Sequence, residues 1–436
     1  MPYFPELGDP LRDLQEWIDL KHEQGADVAP LVEKLKNMVA VLTKEASELG
    51  VNPEIALREP NDLESIKALR PQGVRALPLE ITPEELEDRI LGAWMGRAAG
   101  NMLGVPCEGF SREKIRSACA ALSQPYPLTD YWSRNPRVGD ELSTYNGLPF
   151  RRFLKPHIQY VMPDDDLLYT TLGLVILERF GPDFTPQQVG QAWLDLVPFA
   201  CTAEFHALRN LREGIPVPQT ATVGNPDSEW LGAYIRADAW GYAAPGLPEV
   251  AAEWAWRDCS ISHTRNGLYG AMYFAAVISV ALATGDIKQS LCAGLNEIPE
   301  HCRLAEAIRE TLDWCQELND YQKVLDRIFD RWQGMHVGHT LNNAALVVAG
   351  LELCHDDFET AITEVTMAGM DTDCNAATAG SIAGAVWGFG KLPRKWTEPL
   401  GSVHRSYLNR MYTWDNRDIA RRFTRIALSV RGGWAK

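Results

Sequence analysis

TPEELEDRILGAWMGRAAGNMLG, residues 82 to 104, opens as a helix and continues as one. Thr82 offers a side-chain cap, Pro83 suits the first turn, and Glu85 stands at the capping-box position. Further along, Gly92, Gly96 and Gly100 recur every four residues, so they share one helix face, and Ala99 extends that smooth strip. Glycine costs about 1 kcal/mol per residue in a helix interior. Three in register mark a face onto which another backbone packs closely. The helix ends near Gly104 and Pro106 and delivers Glu108 just beyond its C-terminus.

The pattern set by this stretch continues. Apolar segments with helical periodicity occupy 166–180, 187–196, 203–213, 248–257, 267–284, 304–316, 340–353, 358–367, 375–388 and 416–430, separated by polar or proline-rich loops. No series of alternating-period strands and no βαβ rhythm interrupts them, so the expected fold class is all-α. Residues 1–80 read as a helical N-terminal extension, with helices over 11–22 and 30–49 and then a proline-punctuated connection, NPEIALREPNDLESIKALRPQGVRALPLE. A cap or an oligomer contact is its expected role. Residues 81–436 form the main domain. Within it, about 110–160 is proline- and tyrosine-rich and reads as a long, lid-like loop.

Charge and composition narrow the function classes. The chain has 436 residues, 42 basic and 58 acidic side chains, and a formal charge of −16. That balance argues against general nucleic-acid binding and against an anionic membrane surface. Nine scattered cysteines without a CxxC pair argue for a reducing, cytoplasmic setting. The N-terminus has no signal-peptide pattern. GLYGAMYFAAVISVALATG, residues 267 to 285, is long and apolar enough for a membrane span. It contains several glycines, a serine, a threonine and two tyrosines, and is expected to be a buried central helix.

Two further stretches carry chemistry. VMPDDDLLYTTLGLVILERFG, residues 161 to 181, puts Asp164, Asp165 and Asp166 at a helix start. One aspartate can cap and others complement the helix dipole, but successive positions point about 100° apart and only one caps. AGMDTDCNAATAGSIAGAVWG, residues 368 to 388, places Asp371 and Asp373 before a helix of almost entirely small residues. If the three helix ends converge, four or five carboxylates share a pocket and call for hard divalent cations. No HExxH, Cys/His cluster or GxSxG pattern supports zinc or serine chemistry.

These three stretches, in this order, resemble the ADP-ribosylglycohydrolase family over about residues 84 to 430. The family's marks are a GxxxGxAxGDxxGxPxE segment, a TDDT segment and a GGDTDT segment. The resemblance implies an all-α protein holding two magnesium ions, or manganese, that hydrolyses the C1″ bond of an ADP-ribosyl group on a protein, nucleic acid or small molecule. It implies metal ligands at Asp164, Asp165, Asp371 and Asp373, with Asp166 a further candidate. Asp165, Asp371 and Glu108 are the catalytic candidates, with the base expected at Asp165 or Asp371. His263, Asn101 and Gly369 are the substrate-contact candidates. The chain departs from the family at Pro163, Cys374, Asp166 and Asn101, where threonine, threonine, threonine and aspartate are usual. A thiol is a poor magnesium ligand, so Cys374 bears on the metal count.

Two other functions compete: a ribosyl or nucleoside N-glycosidase acting on a smaller substrate, and a non-catalytic, crystallin-like role. Retained carboxylates argue against the latter. His336 and His339 lie three residues apart without a visible third ligand, so capping or packing is expected of them. The expected partner is a ribosyl substrate, with a homo-oligomer possible.

Overall fold

In the computed structural model, residues 3–4, 7–137, 144–145 and 148–433 are described. Among them are twenty α-helices and two antiparallel two-stranded ribbons, Thr144–Tyr145 with Leu148–Pro149 and Val403–Arg405 with Thr413–Asp415. The protein is all-α.

Its centre is a pair of helices, Pro83–Gly104 and Thr372–Trp387, packed antiparallel. Thr82 caps the first, its Oγ1 accepting from the Glu85 amide at 3.2 Å. From Ile90 onward every residue of that helix is buried, so it has no solvent face. The glycine strip is the reason the pair can approach. A Cβ on Gly96 would lie 2.1 Å from the Gly380 carbonyl oxygen, and one on Gly380 would lie 2.2 Å from that of Gly96. Gly92 and Gly384 repeat the arrangement at 2.5 and 2.1 Å, and Gly100 meets Ala376. The seam closes where the Thr372 hydroxyl donates to the Gly104 carbonyl at 2.8 Å. Because the register runs antiparallel, the C-terminal end of the first helix meets the N-terminal end of the second.

The other elements wrap this pair. Asn266–Thr284 has the length and composition of a membrane span, yet it lies inside, packed between Pro248–Cys259 and Ile287–Gly294. The C-terminal helix Asn416–Arg431 leans on the glycine helix, and the Trp94 indole donates to Asn416 Oδ1 at 2.9 Å.

The first eighty residues behave as two pieces. Helix Ala29–Ser47 buries none of its side chains. Residues 52–80, expected to be a connection, contain helices Pro53–Arg58 and Leu63–Leu69 and are strapped to the body. Glu59 is buried and accepts from the Arg303 amide and guanidinium and from Asn266, at 2.8–2.9 Å. Ile66 is fully enclosed, and Arg70 pairs with Glu249 and buried Glu297.

The segment expected to be a lid-like loop, about 110–160, begins with a helix, Arg112–Ala121. Beyond it the chain is irregular but anchored: Tyr131 is buried and its hydroxyl donates to the Trp396 carbonyl at 2.6 Å. Residues 138–143 and 146–147 of that segment lie outside the described residues.

Candidate active site

The glycine seam and the start of helix Asp165–Phe180 deliver the acids to one place. Asp164 is the N-cap of that helix, its Oδ1 accepting from the Asp166 amide at 3.1 Å. Asn101, from the last turn of the glycine helix, donates Nδ2 to Asp164 Oδ1 at 2.8 Å and to Asp166 Oδ2 at 3.1 Å. Asp371 and Asp373 arrive at the same end of the seam, from the start of helix Thr372–Trp387, and Glu108 follows the glycine helix. Oxygens of Asp164, Asp165 and Asp166 lie within 4.8 Å of one another, as do ligand atoms of Asp166, Asp373 and Cys374.

A cleft of about 310 Å³ opens over this floor. Glu108, Asp165, Asp371, Asp373 and Cys374 line it, while Asp164, Asp166 and Asn101 are fully buried beneath. One wall is aromatic: Trp230 stacks on His336 with centroids 3.9 Å apart and planes 8° from parallel. Tyr407, stacked on Phe199, also faces the cleft, and Tyr145 donates its hydroxyl to Asp373 Oδ2 at 3.2 Å. Glu204 lies at the edge, backed by Arg236 at 3.8 Å.

The acids differ in what neutralises them. Arg97, buried in the glycine helix, donates to Asp166 Oδ1 at 2.9 Å and pairs with Asp238 at 2.8 Å. Among the described residues, Asp164, Asp371 and Asp373 have no such ion pair. Asp164 Oδ2, Asp371 Oδ1, Asp373 Oδ1 and Asn101 Oδ1 are buried oxygens without a hydrogen-bond donor. Burial, then the neighbouring negative charge of Asp164, holds the Asp165 carboxyl well above the usual range. Burial and the charge of Glu108 do the same to Asp373. Glu108 itself is pushed up to about 8 by burial and by Asp371 and Asp164. Without added positive charge these groups cannot all ionise. The unpartnered donors are hard oxygens, which suits magnesium or manganese. Cys374, whose thiol burial raises far above its ordinary value, does not add to that preference.

Residues 82–427 match the family model described as ADP-ribosylglycohydrolase. The chain belongs to the ADP-ribosylglycohydrolase family. It is therefore a hydrolase of the glycosidase type. A solved structure described as an ADP-ribosylglycohydrolase-related protein complex shares the fold. Its TM-score is 0.50 at 18% identity, covering 79% of this chain and 99% of that one. No curated protein matches.

Against the ADP-ribosylglycohydrolase motifs, the candidate residues divide. Asp164, Asp165, Asp166, Asp371, Asp373 and Glu108 gather at the cleft. Asn101 lies beneath it and donates to two aspartates, Asp164 and Asp166. Gly369 is absent from the cleft lining. It occupies a left-handed turn at φ +84° against Phe110, where a Cβ would lie 2.5 Å from the Phe110 carbonyl. His263 lies elsewhere, on a second cavity that shares no lining residue with the cleft. His339 caps helix Thr340–Glu352, accepting from the Leu341 amide at 3.2 Å.

Sequence reasoning did not single out Arg97, Tyr145, Glu204, Arg236 or Tyr407. Arg97 carried one signal: a guanidinium within residues 90–104, a stretch otherwise small or apolar apart from Asn101, needs a buried acid.

Proposed function

We propose that this protein hydrolyses the C1″ ribosyl bond of an ADP-ribosylated protein, nucleic acid or small molecule, using two bound magnesium ions, with manganese as a substitute. The observation that carries this reading is the set of buried, unpartnered acidic oxygens under one cleft. Asp164, Asp371 and Asp373 are the principal ligands, with Asp165 contributing. Asp166, engaged by Arg97 and Asn101, mainly orients the helix start. When bound, the ions supply positive charge that fixes the ribose hydroxyls and acidifies water.

The chain's own groups do the rest. Asp165 is the one carboxylate of its trio that faces the cleft, so it is placed to accept the proton of an attacking water. Breaking the ribosyl bond develops positive charge at the anomeric carbon, and the anionic floor stabilises it. Glu108, protonated near neutral pH by its surroundings, is the second group able to carry a proton. The Trp230–His336 wall offers a flat apolar face to a base or to the acceptor. Nine unpaired cysteines support a cytoplasmic setting.

A smaller ribosyl substrate is the second reading. A cleft of about 310 Å³ is at the low end for ligand sites and favours it.

The test is release of ADP-ribose from ADP-ribosyl-arginine, -serine and 1″-O-linked substrates, with magnesium and with EDTA. Asp371→Asn and Asp164→Asn are expected to lower metal-dependent turnover by about 10³-fold or more, with the helical circular dichroism unchanged. Turnover that survives either substitution, or EDTA, contradicts the assignment. Turnover of a plain nucleoside that free ADP-ribose does not inhibit selects the second reading.

A further inference from the structure

The ligand atoms under the cleft fall into two groups of different chemistry. Oxygens of Asp164, Asp165 and Asp166 make the first, within 4.8 Å of one another. The second joins Asp166 and Asp373 to the sulfur of Cys374, again within 4.8 Å. Asp166 belongs to both, so the two positions are neighbours. The first offers oxygen alone. The second offers oxygen and sulfur.

The second group is held in place by the fold. Asp373 and Cys374 stand in the first turn of helix Thr372–Trp387, and both line the cleft. The Thr372 hydroxyl is bonded to the Gly104 carbonyl, and a Cβ on Gly104 would strike the Asp373 Cα, so this turn is locked against the glycine helix. Asp373 is 2% exposed; Tyr145 donates to its Oδ2, while Oδ1 is buried without a partner. Asp166 accepts from Arg97 on Oδ1 and from Asn101 on Oδ2, which leaves lone pairs on its oxygens. Cys201, the other thiol on the cleft, belongs to no such group among the described residues.

Donor softness then selects the ion. Oxygen-only positions suit magnesium and manganese, whereas a thiolate favours ions such as zinc and cobalt. We propose that the position formed by Asp166, Asp373 and Cys374 holds a thiophilic divalent ion of the zinc class through the Cys374 sulfur, more tightly than it holds magnesium, while the all-oxygen position at Asp164, Asp165 and Asp166 takes a hard ion. This rests on the reading of the cleft as a metal site and names the ion its second position prefers. On binding, the thiol proton passes to solvent and the thiolate sulfur bonds the ion.

Zinc-class ions outbind magnesium at most protein sites, so the test reads the sulfur and not the affinity ratio alone. Cobalt(II) is titrated into the metal-stripped full chain, kept reduced by a phosphine. A saturable thiolate-to-cobalt charge-transfer band in the near ultraviolet is expected. Cys374→Ser and Cys374→Thr should each abolish the band and weaken cobalt binding about tenfold or more, with magnesium affinity unchanged or higher. Two replacements are used so that a folding failure in one, seen by circular dichroism, leaves the other to decide. Cys201→Ser should keep the band. No band in the wild type overturns the proposal. So does a band that persists in the folded Cys374 variants, a band lost in Cys201→Ser, or an equal loss of cobalt and magnesium affinity. Magnesium binding is measured separately: its absence counts against the cleft as a magnesium site, whereas magnesium binding without a cobalt band counts against this proposal alone.

Discussion

The molecule buries two kinds of acid, and the contrast between them separates structure from chemistry. Asp166 and Asp238 share Arg97, while Glu204 and Asp258 share Arg236, so each pair has a guanidinium within 3.8 Å. Asp164, Asp371 and Asp373 lie beside the first of these clusters and, among the described residues, form no ion pair: Asn101 and Tyr145 supply neutral donors to Asp164 and Asp373, and one oxygen of each acid is unpartnered. Buried charge persists when it is paired, protonated or bound to a metal. The arginine-backed acids have their counter-charge within the chain. The cleft acids have none, and that is the ground for proposing a cation there.

The largest expected effect comes from breaking the complete set. Arg97→Met leaves Asp166 and Asp238 buried without their cation and should cost about 3–5 kcal/mol of stability. Urea unfolding measures it, and a loss no larger than that of a surface substitution would erase the distinction drawn between the two groups.

Next in size is the seam that holds the groups in register. In Gly96→Ala the new methyl meets the Gly380 carbonyl at 2.1 Å, a backbone atom that cannot turn aside. Overpacking of this kind costs about 1–3 kcal/mol. Because the same seam aligns Glu108 and Asn101 with Asp371 and Asp373, magnesium affinity should fall as well. Full stability and full affinity in Gly96→Ala would show that the close approach is not needed.

The smallest effect is a pH dependence of the incomplete set. Glu108 has a folded value near 8 against an ordinary 4.5, so between those values the folded state binds more protons than the unfolded state. Its contribution to stability is greatest in acid and is lost as pH rises through about 8. Glu108→Gln lacks that proton, so metal-free wild type should lose melting temperature relative to the variant from pH 5 to 8. Comparing the two cancels the buried histidines, whose lowered values push stability the other way. A constant gap across that range would mean Glu108 is ordinary.

Much of this was legible from residue spacing, because spacing along one helix is local information. The four-residue recurrence of Gly92, Gly96 and Gly100 marked the seam, and the acids beside helix starts marked the floor. What spacing could not show was which distant side chains complete the picture. Arg97 meets Asp238 across 141 positions of sequence, and Tyr145 meets Asp373 across 228. Trp230 and His336 become a wall only because two loops are brought together, at the bridge between Trp230 and His339. The strap at 52–80 read as a connection because its helices are short and proline-broken, and its attachment rests on scattered single residues such as Glu59, Ile66 and Arg70. His263 followed the same logic in reverse. A histidine at a helix start has no periodicity to say which side of the helix bundle it serves, and it lies among the residues lining the second cavity.

The central claim is that the cleft acids lack a cation that the ligand-binding protein must acquire. Calorimetric titration of ADP-ribose into metal-stripped protein, and into protein saturated with magnesium, tests it most directly. Binding that appears only in the magnesium-loaded protein is the predicted result. Equal binding in both states, or failure of magnesium itself to bind, would contradict the account.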